Sequence, residues 1–277
     1  MTRNRIHRVS LPLLSALGLI TLAVVNLTPI FLVARQAFSP GAESISWPLR
    51  LLPNHISAEN FSSLWETQSL FDHLALSIGV ALGTTVVSLL LGFPAGWAAA
   101  RSQFLESLTT RTALISRILP PIAIAIPLAA LLIPLQLYNH PLGLGLVLAH
   151  LTIGLPFAIL LSYIAFREVP RELEDAAHVD GCVPFEAFLR VSLPAARGAI
   201  ISAFILIFLL SWDEFAYALL IQLTHRTLPP LVYYYTEYGQ LASASTLAIL
   251  MLIPSVFVIV LLLKLSTRSI LSGGIKM

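Results

Sequence analysis

Residues 144–166 read LGLVLAHLTIGLPFAILLSYIAF, a run without a single Lys, Arg, Asp or Glu. A helix rises about 1.5 Å per residue, so this stretch reaches across the roughly 30 Å hydrocarbon layer of a bilayer. It is continuous rather than alternating, and far longer than the ~10-residue segments of a membrane barrel. Working outward, five further windows share this character: residues 11–34, 74–100, 113–138, 198–221 and 243–265. The whole chain agrees. Of its 277 residues 57% are hydrophobic and 11% charged, against about 25% charged in a soluble domain. The expected fold class is therefore all-α, a polytopic membrane protein with about six transmembrane helices.

Charge placement orients the spans. With the N-terminus inside, the cytoplasmic flanks hold thirteen of the sixteen Lys and Arg residues, and the outer side only Arg35, Arg50 and Arg226. By the positive-inside rule both termini are expected in the cytoplasm. The net charge of +2, with no basic block, gives no support to nucleic-acid binding. A single cysteine, Cys182, excludes an internal disulfide framework, and the histidines lack metal-ligand spacing. Arg3, Arg5 and Arg8 ahead of an apolar run resemble a signal peptide, but that run is too long and lacks a cleavage site. It reads as an uncleaved first helix.

Three segments follow: residues 1–73 as the first helix with an outer amphipathic segment, 74–265 as the transmembrane core with its cytoplasmic loop 167–197, and 266–277 as a cytoplasmic tail. In the outer segment 35–73, Trp47, Phe61, Leu64, Trp65, Leu70 and Phe71 alternate with Glu59, Glu66 and Asp72. This pattern fits a short helix lying at the membrane surface, or equally an aromatic belt anchoring the second span. In that span Gly79/Gly83 and Gly92/Gly96 are two GxxxG pairs on nearly opposite faces, a pattern for two close neighbours or merely glycines common in membrane helices. Prolines inside the spans, from Pro94 to Pro254, remove backbone donors and bend their helices. Bent helices suit a wet pathway better than a passive anchor.

The cytoplasmic loop 167–197 carries ten of the thirty Lys, Arg, Asp and Glu residues of the chain. Pro170 opens a first short helix, with Glu172, Glu174 and Asp175 in its positive first turns. Gly181 stops it. Pro184 opens a second helix with an apolar stripe of Phe185, Phe188 and Leu189, and Pro194 is expected to end it. Such a pair either docks into a groove on another protein or rests on the membrane surface.

The run Asp175-Ala176-Ala177, three residues, Gly181, nine residues, Val191, one residue, Leu193-Pro194 resembles the EAA loop of the membrane subunits of bacterial ABC importers. Asp175 replaces the usual Glu, which keeps the charge and shortens the reach. The likeness is best in the carbohydrate-uptake, maltose-type permeases: Asp180-Gly181-Cys182 is similar to their DGA, Ser211-Trp212-Asp213-Glu214-Phe215 to their WNEF, Thr227-Leu228-Pro229-Pro230 to their TLPV, and Gly273-Gly274-Ile275-Lys276 to their tail. A tryptophan common before their last helix is absent. The resemblance implies a type I importer permease fold with no catalytic activity of its own. It implies three kinds of partner besides membrane lipid: a second, different permease subunit, two cytoplasmic ATPase subunits that bind the ATP, and an extracytoplasmic solute-binding protein. Glu174, Asp175, Ala176, Ala177, Asp180, Gly181, Phe185, Val191, Leu193 and Pro194 would carry the coupling, and a bacterial inner membrane would be the location. The chain itself has only Lys264 and Lys276, neither in a phosphate-binding GxxxxGK[ST] loop.

Asp213 and Glu214 fall deep in the fifth window, where a lipid-facing carboxylate costs several kcal/mol. They face the bundle or water. Trp212 and Asp213 are candidates to line a path for a sugar ring, and Glu214 and Asp213 alternatively pair with polar groups at a helix or subunit contact. His150, Gln136 and Tyr138 read first as packing residues, and Cys182 as a small residue beside the loop turn. The expected cargo is a carbohydrate. Rival readings are the same machine with a polyamine, glycerol phosphate or metal chelate, an ion-driven secondary transporter, which normally shows two pseudo-symmetric halves, and a membrane-embedded enzyme, for which the spans hold no nucleophile constellation.

Overall fold

The computed structural model describes residues 3–40, 51–67 and 70–273. Among these the regular structure is helical throughout. In chain order the helices are α1 (Arg3–Ala37), α2 (Glu59–Thr67), α3 (Leu70–Arg101), α4 (Gln103–Ile115), α5 (Pro121–Leu132) and α6 (Leu144–Glu168). There follow α7 (Arg171–Val179), α8 (Pro184–Ala195, with a π turn at Phe188–Ser192), α9 (Arg197–Trp212), α10 (Ala216–Ile221), α11 (Leu228–Glu237) and α12 (Leu241–Gly273). The all-α membrane class stands, and the count of about six spans is approximate. Among the described residues four helices are long and apolar enough to cross by themselves: Ser15–Ala37 of α1, α3, α6 and Leu241–Leu261 of α12. α8 and α9, bent by 78° against each other, count as a fifth only when taken as one span.

The other two windows divide. Residues 113–138 split at Pro120-Pro121: Pro121 occupies the first turn of α5, where a missing N–H costs nothing, and α5 itself is only 12 residues long. Residues 198–221 break at Asp213–Phe215 between α9 and α10. Pro194 does not end the second loop helix as expected. It sits inside α8, in the first turn of the Leu193–Ala195 segment, and the break falls at Ala196 (φ −87°, ψ 11°). Its missing N–H leaves the preceding turn one donor short, and α8 ends one residue further on, at Ala195.

The chain forms two compact units, residues 1–69 with 232–252, and 70–231 with 253–277. In the first, residues 15–32 of α1 are exposed on every side, as for a helix solvated by lipid. α2 is the short helix expected in the outer segment, whose Trp47 lies outside the described residues. Its Asn60 amide donates to the carbonyls of Ala37 (2.9 Å) and Ser39 (2.8 Å), closing the end of α1, and Phe61 meets Phe38 at 4.9 Å. Leu64 is buried while Trp65 is exposed.

The second unit is organised on α3 and α6, which lie together along their lengths, with α9 against both. Missing side chains set this approach. A Cβ on Gly92 would stand 2.4 Å from that of Ala158, and one on Gly96 2.7 Å from the Tyr163 backbone nitrogen. On Gly154 of α6 it would meet Ser88 of α3 and Ile207 of α9. The two glycine pairs of α3 do not serve opposite neighbours: Gly83 also faces α6, through the long reach of Val147, and nothing lies within 4 Å of Gly79. Two apolar clusters fill the unit. One joins Phe93, Phe166, Phe188, Ala203 and Ile207, and the other Val80, Ala125, Leu132, Leu146, Tyr217 and Ile221.

Candidate functional site

The loop between α6 and α9 folds as a helical hairpin, and local chemistry sets its turn. α7 ends in a Schellman motif: Cys182 N donates to Ala177 O (2.9 Å) and Gly181 N to His178 O (3.0 Å). Gly181 takes φ +91°, a conformation open to glycine at little cost. Pro184 then starts α8, and Glu186 reaches back to accept from Val183 N at 3.3 Å.

One side chain binds this hairpin to the transmembrane helices. Glu174 of α7 is 6% exposed. Its carboxylate accepts from Arg101 at the end of α3 (Nη2 2.6 Å, Nε 3.0 Å), from Trp97 Nε1 (3.1 Å) and from Ser192 Oγ in the π turn of α8. Burial works against its charge, yet the hydrogen bonds from Arg101, Ser192 and Trp97 and the arginine charge outweigh it and hold the carboxyl below its usual range. Arg101 in turn donates to the carbonyls of Phe166 (2.9 Å) and Val169 (3.2 Å), the unsatisfied end of α6. Arg171 adds a contact to Ala100 O at 3.3 Å. Phe188, 2% exposed, drives into the same junction between Trp97 and Phe166, with ring centroids at 5.1 and 5.7 Å. The ends of α3 and α6 and both arms of the hairpin thus meet on one buried ion pair.

The opposite face is bare. Asp175, Ala176 and Asp180 are exposed, as are Leu173, Val179, Val183, Phe185 and Leu189, and Ala177 is buried. The expected stripe of Phe185, Phe188 and Leu189 therefore divides, Phe188 inward at its centre and the other two outward, with the Phe185 ring still 6.0 Å from that of Phe188. Leu193 packs on the inner core, Val191 is half-buried, and Pro194 is exposed.

The break at Asp213–Phe215 separates the three candidates of the fifth window. Trp212 is 1% exposed and stacks on Phe208 at 5.9 Å. Glu214 is buried and caps α10, accepting from the backbone nitrogens of Ala216 (2.9 Å), Tyr217 (3.0 Å) and Ala218 (3.2 Å). Asp213 is exposed. His150 joins Glu214 rather than standing alone as packing: its Nε2 is 3.3 Å from Glu214 Oε2 and its Nδ1 2.7 Å from Ser211 Oγ. Tyr138 packs near the outer core, and Gln136 adopts a positive φ of 58° in the turn after α5. The sequence reading did not connect Arg101, Trp97 and Ser192 with Glu174. The available signal was a buried-loop carboxylate with an arginine closing a span, and nothing in the spacing pairs them.

Comparison with known proteins agrees with this geometry. Residues 89–272 match the family described as binding-protein-dependent transport system inner membrane component. The chain is 30% identical to the trehalose transport system permease protein SugB of Mycobacterium tuberculosis, over 82% of this chain and 85% of that one. It is 29% identical to the sulfoquinovosyl glycerol transport system permease protein SmoH of Agrobacterium fabrum, over 92% and 90%. Its fold matches a chain of a bacterial ABC transporter involved in alginate import, with a TM-score of 0.75 at 19% identity, covering 95% of this chain and 98% of that one. Its span of the family model and its identity to these permeases make the chain a member of the inner membrane components of binding-protein-dependent, ABC-type import systems.

Proposed function

We propose that this chain is the membrane-spanning permease subunit of an importer that carries a carbohydrate delivered by an extracytoplasmic binding protein. The hairpin 167–197 couples it to cytoplasmic ATPase subunits, which bind and hydrolyse the ATP. The observation that carries the reading is the two-sided hairpin: one side is fixed to the ends of α3 and α6 through Glu174 and Phe188, and the other presents Phe185, Leu189, Leu173 and Val179 to solvent. A partner seated on that bare side moves the spans with it. An exposed apolar face on a cytoplasmic loop is the expected footprint of such a partner. The sugar cargo is supported by what the relatives are named for, trehalose and sulfoquinovosyl glycerol.

The orientation follows from the charge count, with both termini inside, and a second permease subunit covers the lipid-length helices that this chain leaves open. Transport runs by alternating access, with Asp213 exposed at the helix break along the path and Trp212 buried behind it. The test is substitution of Phe185, which is 60% exposed and meets Phe188 only at its edge, with ring centroids 6.0 Å apart. Phe185→Glu in the assembled complex is expected to abolish ATPase co-purification and solute uptake while the permease still inserts and folds. Unchanged co-purification removes the coupling role. Uptake of a polyamine, glycerol phosphate or metal chelate in place of a saccharide removes the cargo assignment.

A further inference from the structure

The pair His150–Glu214 lies apart from the coupling hairpin, and both members are more than nine-tenths buried. Glu214 spends both oxygens on the start of α10: Oε1 accepts from Ala216 and Tyr217, Oε2 from Tyr217 and Ala218. A helix of six residues buried in apolar surroundings has several orphan amides at its start, and this carboxylate answers three of them. His150 stands on α6 and faces both sides of the break at once, with Ser211 in the last turn of α9 on Nδ1 and Glu214 on Nε2. Nδ1 shares a hydrogen bond with the serine hydroxyl, while Nε2 stands 3.3 Å from the carboxylate without the alignment of a hydrogen bond. Two residues along α6, Thr152 Oγ1 bonds the Tyr217 hydroxyl at 2.7 Å, a second tie from α6 to α10. Gly154, two residues further, lets α9 and α3 close in on the same stretch.

From this geometry we infer that His150 is a positioning residue. Its imidazole staples α9 and α10 to α6 and so sets the angle of the break from which Asp213 projects. Without it, α10 keeps its Thr152–Tyr217 tie to α6 and α9 its packing on α3 and α6, but no side chain of α6 spans the break, and Asp213 loses its fixed direction. The consequence for translocation rests on the function proposed above. The geometric claim does not.

The test therefore has two arms, both in the full transporter in nanodiscs or proteoliposomes. In a Cys182→Ser background, nitroxides at positions 206 and 223, both exposed and on either side of the break, report its angle by pulsed electron resonance. His150→Ala is expected to broaden or shift a narrow distance distribution, and His150→Gln, which keeps an N–H donor of similar reach, to restore most of it. In uptake assays His150→Ala is expected to lose at least tenfold in solute moved per ATP hydrolysed, with ATP hydrolysis within twofold of the parent and recovery in His150→Gln. An unchanged distance distribution in His150→Ala, or a Gln variant no better than Ala, overturns the proposal. If His150→Ala does not assemble, Ser211→Ala, which cuts only the α9 side, is read the same way: a smaller broadening supports the staple, and none overturns it. A parent complex that moves no saccharide counts against the proposed function and leaves the distance arm intact.

Discussion

Removing Arg101 strikes the junction at its centre. In Arg101→Ala the Glu174 carboxylate loses contacts at 2.6 and 3.0 Å, and the carbonyls of Phe166, which keeps Val169 N, and of Val169 lose the arginine. Stranding one member of a buried pair costs about 3–5 kcal/mol. The side chains are 15% and 8% exposed, so water reaches them in part and the lower end applies, about 3 kcal/mol. Two carbonyls at a helix end, which water can re-solvate, add roughly 1 kcal/mol together. Glu174→Ala costs less, about 2 kcal/mol, because Arg101 keeps its two carbonyl acceptors. The double variant has no stranded charge, so its cost falls short of the sum by about 2 kcal/mol. Equilibrium unfolding in mixed dodecyl maltoside and SDS micelles measures all four corners of the cycle. A coupling below about 0.5 kcal/mol would refute the idea that one ion pair joins the hairpin to the spans.

Three further outcomes are expected. The stabilisation that Glu174 confers over Glu174→Gln is present in full above the ordinary carboxylate value of 4.5 and disappears as the pH falls through the lowered value of the folded protein, which unfolding series of both proteins at descending pH will register. Gly96→Ala places a Cβ 2.7 Å from the Tyr163 nitrogen and 2.8 Å from the Ile159 oxygen, both backbone, so α3 and α6 must separate at about 1–3 kcal/mol, whereas Gly79→Ala meets nothing and leaves the unfolding midpoint in place. Gly181→Ala meets no atom within 4 Å but must hold φ +91°, which costs about 1 kcal/mol in the same unfolding assay with no change elsewhere in the chain.

What the sequence made legible was decided by the range of the interactions. α6 reads directly because every residue of 144–166 reports on the same solvent. The hairpin reads nearly as well: Pro170, Gly181 and Pro184 act on their own backbone, and each sits where its chemistry puts it. The two divided windows do not read, because hydropathy adds up a stretch without asking whether its backbone stays helical. Pro120-Pro121 and Asp213-Glu214 carried the warning, since each removes or recruits backbone hydrogen bonds in a run that otherwise looks uniform. The Glu174–Arg101 and Glu214–His150 pairs were beyond reach for another reason. Their partners are 73 and 64 positions apart, and only the packing of α3, α6 and α9 brings them together. The stripe of Phe185, Phe188 and Leu189 was legible as a stripe, but which of its members turns inward is set by Trp97 and Phe166, far away in the chain.

The 78° corner at Ala196 has a mechanical meaning. A straight rod driven from below slides along its own axis. A rigid bell-crank, pinned near its corner, exchanges a lateral push on the short arm for a tilt of the long one. Because Ser192 on the short arm is tied to Glu174 and Phe188 is wedged beside Trp97, the pin lies at the foot of α3 and α6. A sideways push on the short arm, such as the proposed partner would give, would thus reach the far end of α9 as a tilt, where the helix breaks at Asp213.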